Sequence, residues 1–170
     1  MALLYTTIQS PLGLIGLASG EKGLLRIRVS LANESEFPEY LETRYRQIPS
    51  KRSRAFSDLQ DQFELYFKGR LSHFVCRPDF GPATPFQRLV WRQLTTIPYG
   101  ETRSYRWLAR AVGKPAAYRA AGNANGKNPL PIVVPCHRVI RENGQLGGYT
   151  RGTHIKQFLL DLEHNRHGAA

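Results

Sequence analysis

Cysteine is nearly absent from this chain: among 170 residues there are only Cys76 and Cys136. Two cysteines cannot build a disulfide framework, and neither belongs to a Cys-x-x-Cys pair. Cys76 with His73 offers half of a metal site, and two ligands do not make a zinc cage. No metal is expected, and no cofactor. Long apolar runs are missing too, which excludes a membrane-spanning helix. Residues 1–6 lack the basic and apolar regions of a secretory signal. The expected compartment is therefore the cytoplasm, with free thiols. Acidic residues are scarce in one half. Residues 85–170 hold 13 basic and 4 acidic residues, a net of +9, whereas residues 1–84 hold 11 and 9, a net of +2. From Thr84 to Arg141 the only acid is Glu101. Such a one-sided field favours a polyanionic partner, a basic soluble surface being the alternative.

What is present reads as a globular chain of one sizeable domain or two small ones. Residues 3–8, 12–18 and 24–29 have the pattern of short strands, with turns at Pro11 and at 20–23. Residues 33–47 are charged and partly helical in pattern, and 49–54 form a basic loop. In 56–68, Phe56, Leu59, Phe63 and Phe67 recur at helical spacing, and Gly69 ends the run. Residues 71–75 fit one more strand. The Pro- and Gly-rich stretch 77–85 is the best domain boundary. Beyond it, Thr84-Pro85 has the form of a helix cap and first turn, and Phe86, Val90, Leu94 and Ile97 mark a buried face. Ser104 caps a helix through Ala111 that ends at Gly113, and Lys114-Pro115 begins another, which is a helix-turn-helix pattern. That last helix, 116–126, is almost all small residues around Arg119. A small-residue face suits either a neighbouring helix or the narrow minor groove of DNA, where a lone Arg can wedge into the base stack.

The stretch Pro135-Cys136-His137-Arg138-Val139 follows an apolar run, 131–134, that reads as a buried strand. A thiol beside an imidazole and a guanidinium is a candidate nucleophile, because positive neighbours favour the reactive thiolate. A free Cys packed as a small apolar residue is the alternative.

The Pro-Cys-His-Arg-Val core is flanked in order by Pro98-Tyr99-Gly100-Glu101-Thr102-Arg103-Ser104-Tyr105, by Arg119-Ala120-Ala121-Gly122-Asn123-Ala124, by Asn128-Pro129-Leu130-Pro131 and by Gly147-Gly148-Tyr149-Thr150. With these motifs the chain resembles the O6-alkylguanine-DNA alkyltransferases (methylated-DNA–protein-cysteine methyltransferases). The resemblance covers about residues 85–165 by motif. It implies an α+β protein: an N-terminal α/β, ribonuclease-H-like domain with a short antiparallel sheet (1–76), a linker (77–84), and a C-terminal winged helix-turn-helix domain (85–170). It also implies irreversible transfer of an alkyl group from guanine O6 in duplex DNA to Cys136 after base flipping, one group per chain, with O4-alkylthymine left open as a second substrate.

Under the resemblance, His137 is the base acting through a water, and Glu163 orients it. On a helix over 154–165, with Ile155, Phe158, Leu159 and Leu162 as the apolar face, Glu163 is otherwise either solvated or paired. Asn128 braces the turn into the active-site strand. Tyr105 assists rotation of the nucleotide and donates a proton to the leaving guanine. Arg119 fills the vacated base position, with Ala120, Gly122, Asn123 and Ala124 at the groove. Tyr149 and Thr150, with Val139 and Pro131, line the substrate pocket, and the backbone at Cys136 and Val139 holds the exocyclic amine. Double-stranded DNA carrying O6-alkylguanine is the expected partner, with no membrane, for a protein that is a monomer in solution. Cooperative assembly on DNA is left open, as is a nuclear location in a eukaryote. A lesion-binding module without chemistry and a thiol hydrolase that turns over are the competing readings.

Overall fold

Strand formation at the N-terminus follows from short apolar runs bounded by turn residues in the computed structural model, which describes residues 2–167. β1 (Leu4–Ser10) and β2 (Gly13–Gly20) pair antiparallel, and β2 pairs antiparallel with β3 (Gly23–Leu31). Ser10 Oγ accepts from Leu12 N and donates to Gly13 O, tying the first turn. β4 (Ser50–Lys51) runs parallel to β1, giving the order β3-β2-β1-β4. The basic segment 49–54 is thus in part a strand. Helix α1 (Glu36–Tyr45) sends Phe37 and Leu41 into a core with Leu3, Ala18, Leu25 and Leu31. Gly16 is required there, because a Cβ would overlap the Phe37 ring.

On α2 (Ser57–Phe67), Phe56, Leu59 and Phe63 are buried as their spacing predicts, but Tyr66 takes the inner place expected of Phe67. The strand expected at 71–75 does not form. The Gln62 side chain takes the role of a partner strand, donating to Val75 O at 3.0 Å and accepting from Val75 N at 2.6 Å. Phe74 packs instead on the rings of Phe63 and Tyr66.

The chain divides into two compact units between Gly81 and Pro82. The second begins with α3 (Pro85–Leu94), where Thr84 and Gln87 form a reciprocal capping box and Pro85 occupies the first turn. Val90, Trp91, Leu94 and Ile97 are buried. α4 (Tyr105–Ala111) starts at Ser104, whose hydroxyl accepts from Trp107 N. α5 begins later than the Lys114-Pro115 expectation, at Tyr118, and ends at Gly126. Pro115 instead opens a turn closed by Ala117 N donating to Lys114 O at 2.8 Å. α4 and α5 form the helix-turn-helix. β5 (Arg103–Ser104) and β6 (Val139–Ile140) make a short parallel pair, and α6 (Thr153–His167) closes the unit.

The run 131–134 is a turn, not a strand. Pro129 and Pro131 lack the N–H groups a ladder needs. Val134 N returns to Leu130 O, and Ile132 sits at a φ of 74°, a strained conformation for a β-branched residue. Residues Cys136–Arg138 then form a single turn of 3-10 helix. Among the described residues no helix is long and apolar enough to cross a membrane.

Candidate active site

The 3-10 turn separates the three central side chains, because successive residues point about 120° apart. Cys136 lines a cavity of about 920 Å³ in the C-terminal unit, together with Tyr105, Arg119, Asn125, Tyr149 and Thr150. His137 and Arg138 both turn to Glu163. His137 Nε2 lies 2.7 Å from Glu163 Oε1, Arg138 Nε donates to Oε2 at 2.8 Å, and Arg138 Nη2 donates to Oε1 at 3.0 Å. Gly100 N, from the Pro98-Tyr99-Gly100 motif, donates to Oε2 at 3.3 Å, and Arg138 Nη1 donates to Ile97 O at 2.7 Å.

Burial alone would raise the Glu163 pKa. The bonds from His137 and Arg138 win and hold it well below the usual carboxylate range. An ionised carboxylate only accepts, so His137 Nε2 carries the proton and Nδ1 the lone pair. Burial lowers the imidazole pKa against the pull of Glu163, so the ring is neutral at pH 7. Nδ1 is buried and has no partner among the described residues.

The thiol does not behave as its sequence neighbours suggest. Burial raises the Cys136 pKa, and this outweighs the lowering influence of Asn128, Lys156 and Tyr149. Arg138 is spent on Glu163, so the expected help from an adjacent guanidinium is absent, and the resting group is a thiol. The Tyr149 hydroxyl is close enough to the sulfur for each to perturb the other, without a well-aligned hydrogen bond between them. Tyr105 is also pushed upward, first by burial and then by a Cys136 thiolate, so its phenol stays protonated.

The surrounding loop is held by a residue that sequence reasoning missed. Lys156, fully buried on α6, donates to Val139 O and Leu146 O, both at 2.6 Å, and to Gly148 O at 3.3 Å. Its ammonium also lies 3.5 Å from the Tyr105 hydroxyl, and burial lowers its pKa to about 8. The loop comes so close that a Cβ at Gly147 would stand 2.7 Å from the Tyr105 hydroxyl.

Two comparisons with family models span almost the whole chain. Residues 85–165 match the 6-O-methylguanine DNA methyltransferase DNA binding domain, and residues 3–78 match the ribonuclease-like domain of the same family. The chain belongs to this methyltransferase family. Among its relatives is a methylated-DNA–protein-cysteine methyltransferase of Methanosarcina barkeri, 43% identical over 95% of this chain and 97% of that protein. The constitutive enzyme of Bacillus subtilis is 42% identical over 94% of each chain. Among solved structures, Mycobacterium tuberculosis O6-methylguanine methyltransferase superposes with a TM-score of 0.83 at 42% identity, covering 96% of this chain and 94% of that one. The M. tuberculosis OGT in complex with DNA also gives 0.83, at 44% identity and the same coverage.

Within this methyltransferase unit the expected site residues fall into three groups. Cys136, Tyr105, Arg119, Gly122, Asn123, Tyr149 and Thr150 line the cavity. His137 and Glu163 lie behind Cys136. Asn128 braces the turn, donating to Val134 O at 2.7 Å and accepting from Leu130 N at 2.9 Å. Others are placed differently. Ala124, expected at the groove, is only 3% exposed, and its carbonyl accepts from Trp91 Nε1 at 2.7 Å. The small inner face of α5 serves helix packing, while its outer face presents Arg119, Ala120 and Asn123. Val139 is fully buried, and neither it nor Pro131 lines the cavity. Lys156 was within reach of sequence reasoning: 156, 159 and 163 share one helical face, so a lysine there faces inward with Leu159.

Proposed function

We infer that this protein repairs DNA directly, moving an alkyl group from O6-alkylguanine to Cys136 once and irreversibly. The observation that carries this is a single buried thiol at the cavity wall, backed by a neutral imidazole whose free Nδ1 is fixed by a buried carboxylate. DNA is the partner, held by the basic helix-turn-helix unit, and the lesion reaches the thiol after flipping. In the step itself the sulfur attacks the alkyl carbon, the S–C bond forms, and the C–O6 bond breaks with its electron pair going to guanine. His137 Nδ1 takes the thiol proton, relayed by a water, and Glu163 stabilises the resulting imidazolium. The Tyr105 phenol gives a proton to the leaving base, and Lys156, at 3.5 Å, is placed to replace it. Arg119 occupies the gap in the stack. The product thioether has no activated leaving group, so each chain acts once.

Intact mass and peptide mapping after incubation with an O6-methylguanine duplex test this. One methyl increment on the Cys136 peptide is expected, and none on Cys136→Ala, which still binds DNA. Sustained turnover, or transfer by that variant, would exclude the reading.

A further inference from the structure

A tyrosine stands beside the wedge. Tyr118 opens α5, next to Arg119, and its half-buried side chain forms part of the cavity wall. The guanidinium carbon of Arg106, on α4, lies 5.1 Å from the centroid of the Tyr118 ring, and that of Arg119 lies 5.9 Å from it. Both distances are within reach of a cation–π contact. Both arginines are exposed, and neither guanidinium has a hydrogen bond or ion pair among the described residues. The local sequence supplies no acid for that purpose. Glu101 is the only acidic residue from Thr84 to Arg141, and Arg103 Nη2 already donates to it at 2.7 Å. The Tyr118 ring is therefore the contact that the two cations share, and it ties a residue of α4 to the wedge on α5.

That arrangement bears on the flipping step. A wedge acts only if it enters the stack as the base leaves, and an unrestrained arginine has many rotamers to lose at that moment. A side chain already resting against a ring has lost part of that freedom before the duplex arrives. We propose, resting on the repair function above, that Tyr118 is a positioning residue whose ring face holds the Arg119 guanidinium ready to enter the vacated base position. The contact helps only if it survives insertion, so the ring and the guanidinium enter the groove together. The hydroxyl of Tyr118 has no part in this, because the attraction is to the ring face.

The test is a set of single-turnover transfer rates on O6-methylguanine in a duplex and in an unpaired single strand, where no wedge is needed. Tyr118→Leu keeps the bulk and loses the ring face. It should slow the duplex reaction about threefold and leave the single strand at the wild-type rate, which also shows that the variant is folded. Tyr118→Phe keeps the ring face and should restore the duplex rate. In an Arg119→Ala background, Tyr118→Leu should cause no further slowing. An unchanged or faster duplex reaction in Tyr118→Leu would overturn the proposal, since the contact would then be idle or would hold the wedge back. Equal slowing on both substrates would make Tyr118 a cavity wall instead. Further slowing in the Arg119→Ala background would mean that Tyr118 acts on the DNA by itself, and slowing in Tyr118→Phe would assign the effect to the hydroxyl. Absence of transfer from either substrate by the wild-type protein would sink the repair function itself, an outcome distinct from all of these.

Discussion

The two units solve the folding problem in opposite ways. In the first, Phe37, Leu41, Phe63 and Tyr66 fill apolar interiors, and Thr6 is the only polar side chain among its described residues that is buried. Among its ion pairs, Lys51 with Glu34 and Lys68 with Glu64 lie at the surface, and Arg28 with Glu36 is partly exposed. The second unit buries Asn125, His137, Arg138, Lys156 and Glu163. Buried charges cost stability unless they are fully paired. Here Glu163 is matched by two side chains and a backbone N–H, and Lys156 by three carbonyls. A core that needed only stability would do without them, so the contrast locates the chemistry as firmly as the cavity does.

The largest expected effects test that contrast directly. Phe37→Ala should destabilise the protein by about 3–5 kcal/mol, the usual range for emptying a buried aromatic site. The transfer rate per folded molecule should not change. Glu163→Gln should also cost about 3 kcal/mol, because Arg138 is left buried without its counter-charge, and it should slow transfer ~100-fold by freeing the imidazole. Thermal unfolding with single-turnover rates at a temperature where both variants are folded separates the two. A Phe37→Ala protein that is folded yet slow would break the division of labour between the units.

A smaller effect is expected from the exposed face of α5. Arg119→Ala should slow repair of a duplex lesion ~10-fold, since flipping costs a few kcal/mol and the wedge offsets part of it. Repair of the same lesion in an unpaired single strand should change little. Equal slowing on both substrates would place Arg119 in the support of the cavity rather than of the flipped state.

How much of this was legible in sequence divides by the range of the signal, not by unit. The short N-terminal strands and their turns, the Thr84 cap, the Ser104 cap and the Phe56–Phe63 periodicity are local signals, and the structure follows them. The mismatches are tertiary. No local rule announces that the Gln62 side chain replaces a strand at 71–75. The apolar run 131–134 passes for a strand until Pro129 and Pro131 are counted as missing donors. Arg138 beside Cys136 promises an activated thiol, and only the fold shows the guanidinium committed to Glu163. The His137–Glu163 pair came from family resemblance, whereas Asn125 was hidden because a buried Asn contradicts the ordinary rule for that residue type, and Lys156 was legible only through its place on the Leu159–Glu163 face of α6.

The acid limb of the transfer rate is the finest test of the difference between the units. If His137 is the base, it must be neutral to act. Burial lowers its pKa below the ordinary 6.5, so the rate should hold steady as pH falls through 6.5 and decline only below it. At the other end the Cys136 thiol is raised above its ordinary 9.0. A thiol and a base working together therefore predict a plateau between these limits. A thiolate formed independently of His137 would give a rate that climbs about tenfold per pH unit through neutrality. Acidification also removes stability here. The unfolded chain takes up the proton that the buried imidazole resists, so stability rises with pH between the folded and unfolded pKa values of His137 and is lost on descending through that window. The exposed Glu64–Lys68 pair of the first unit has no such link to transfer. Rates normalised to the folded fraction, followed by circular dichroism at each pH, separate the two losses. A normalised acid midpoint at or above 6.5 would count against the buried neutral imidazole as the base.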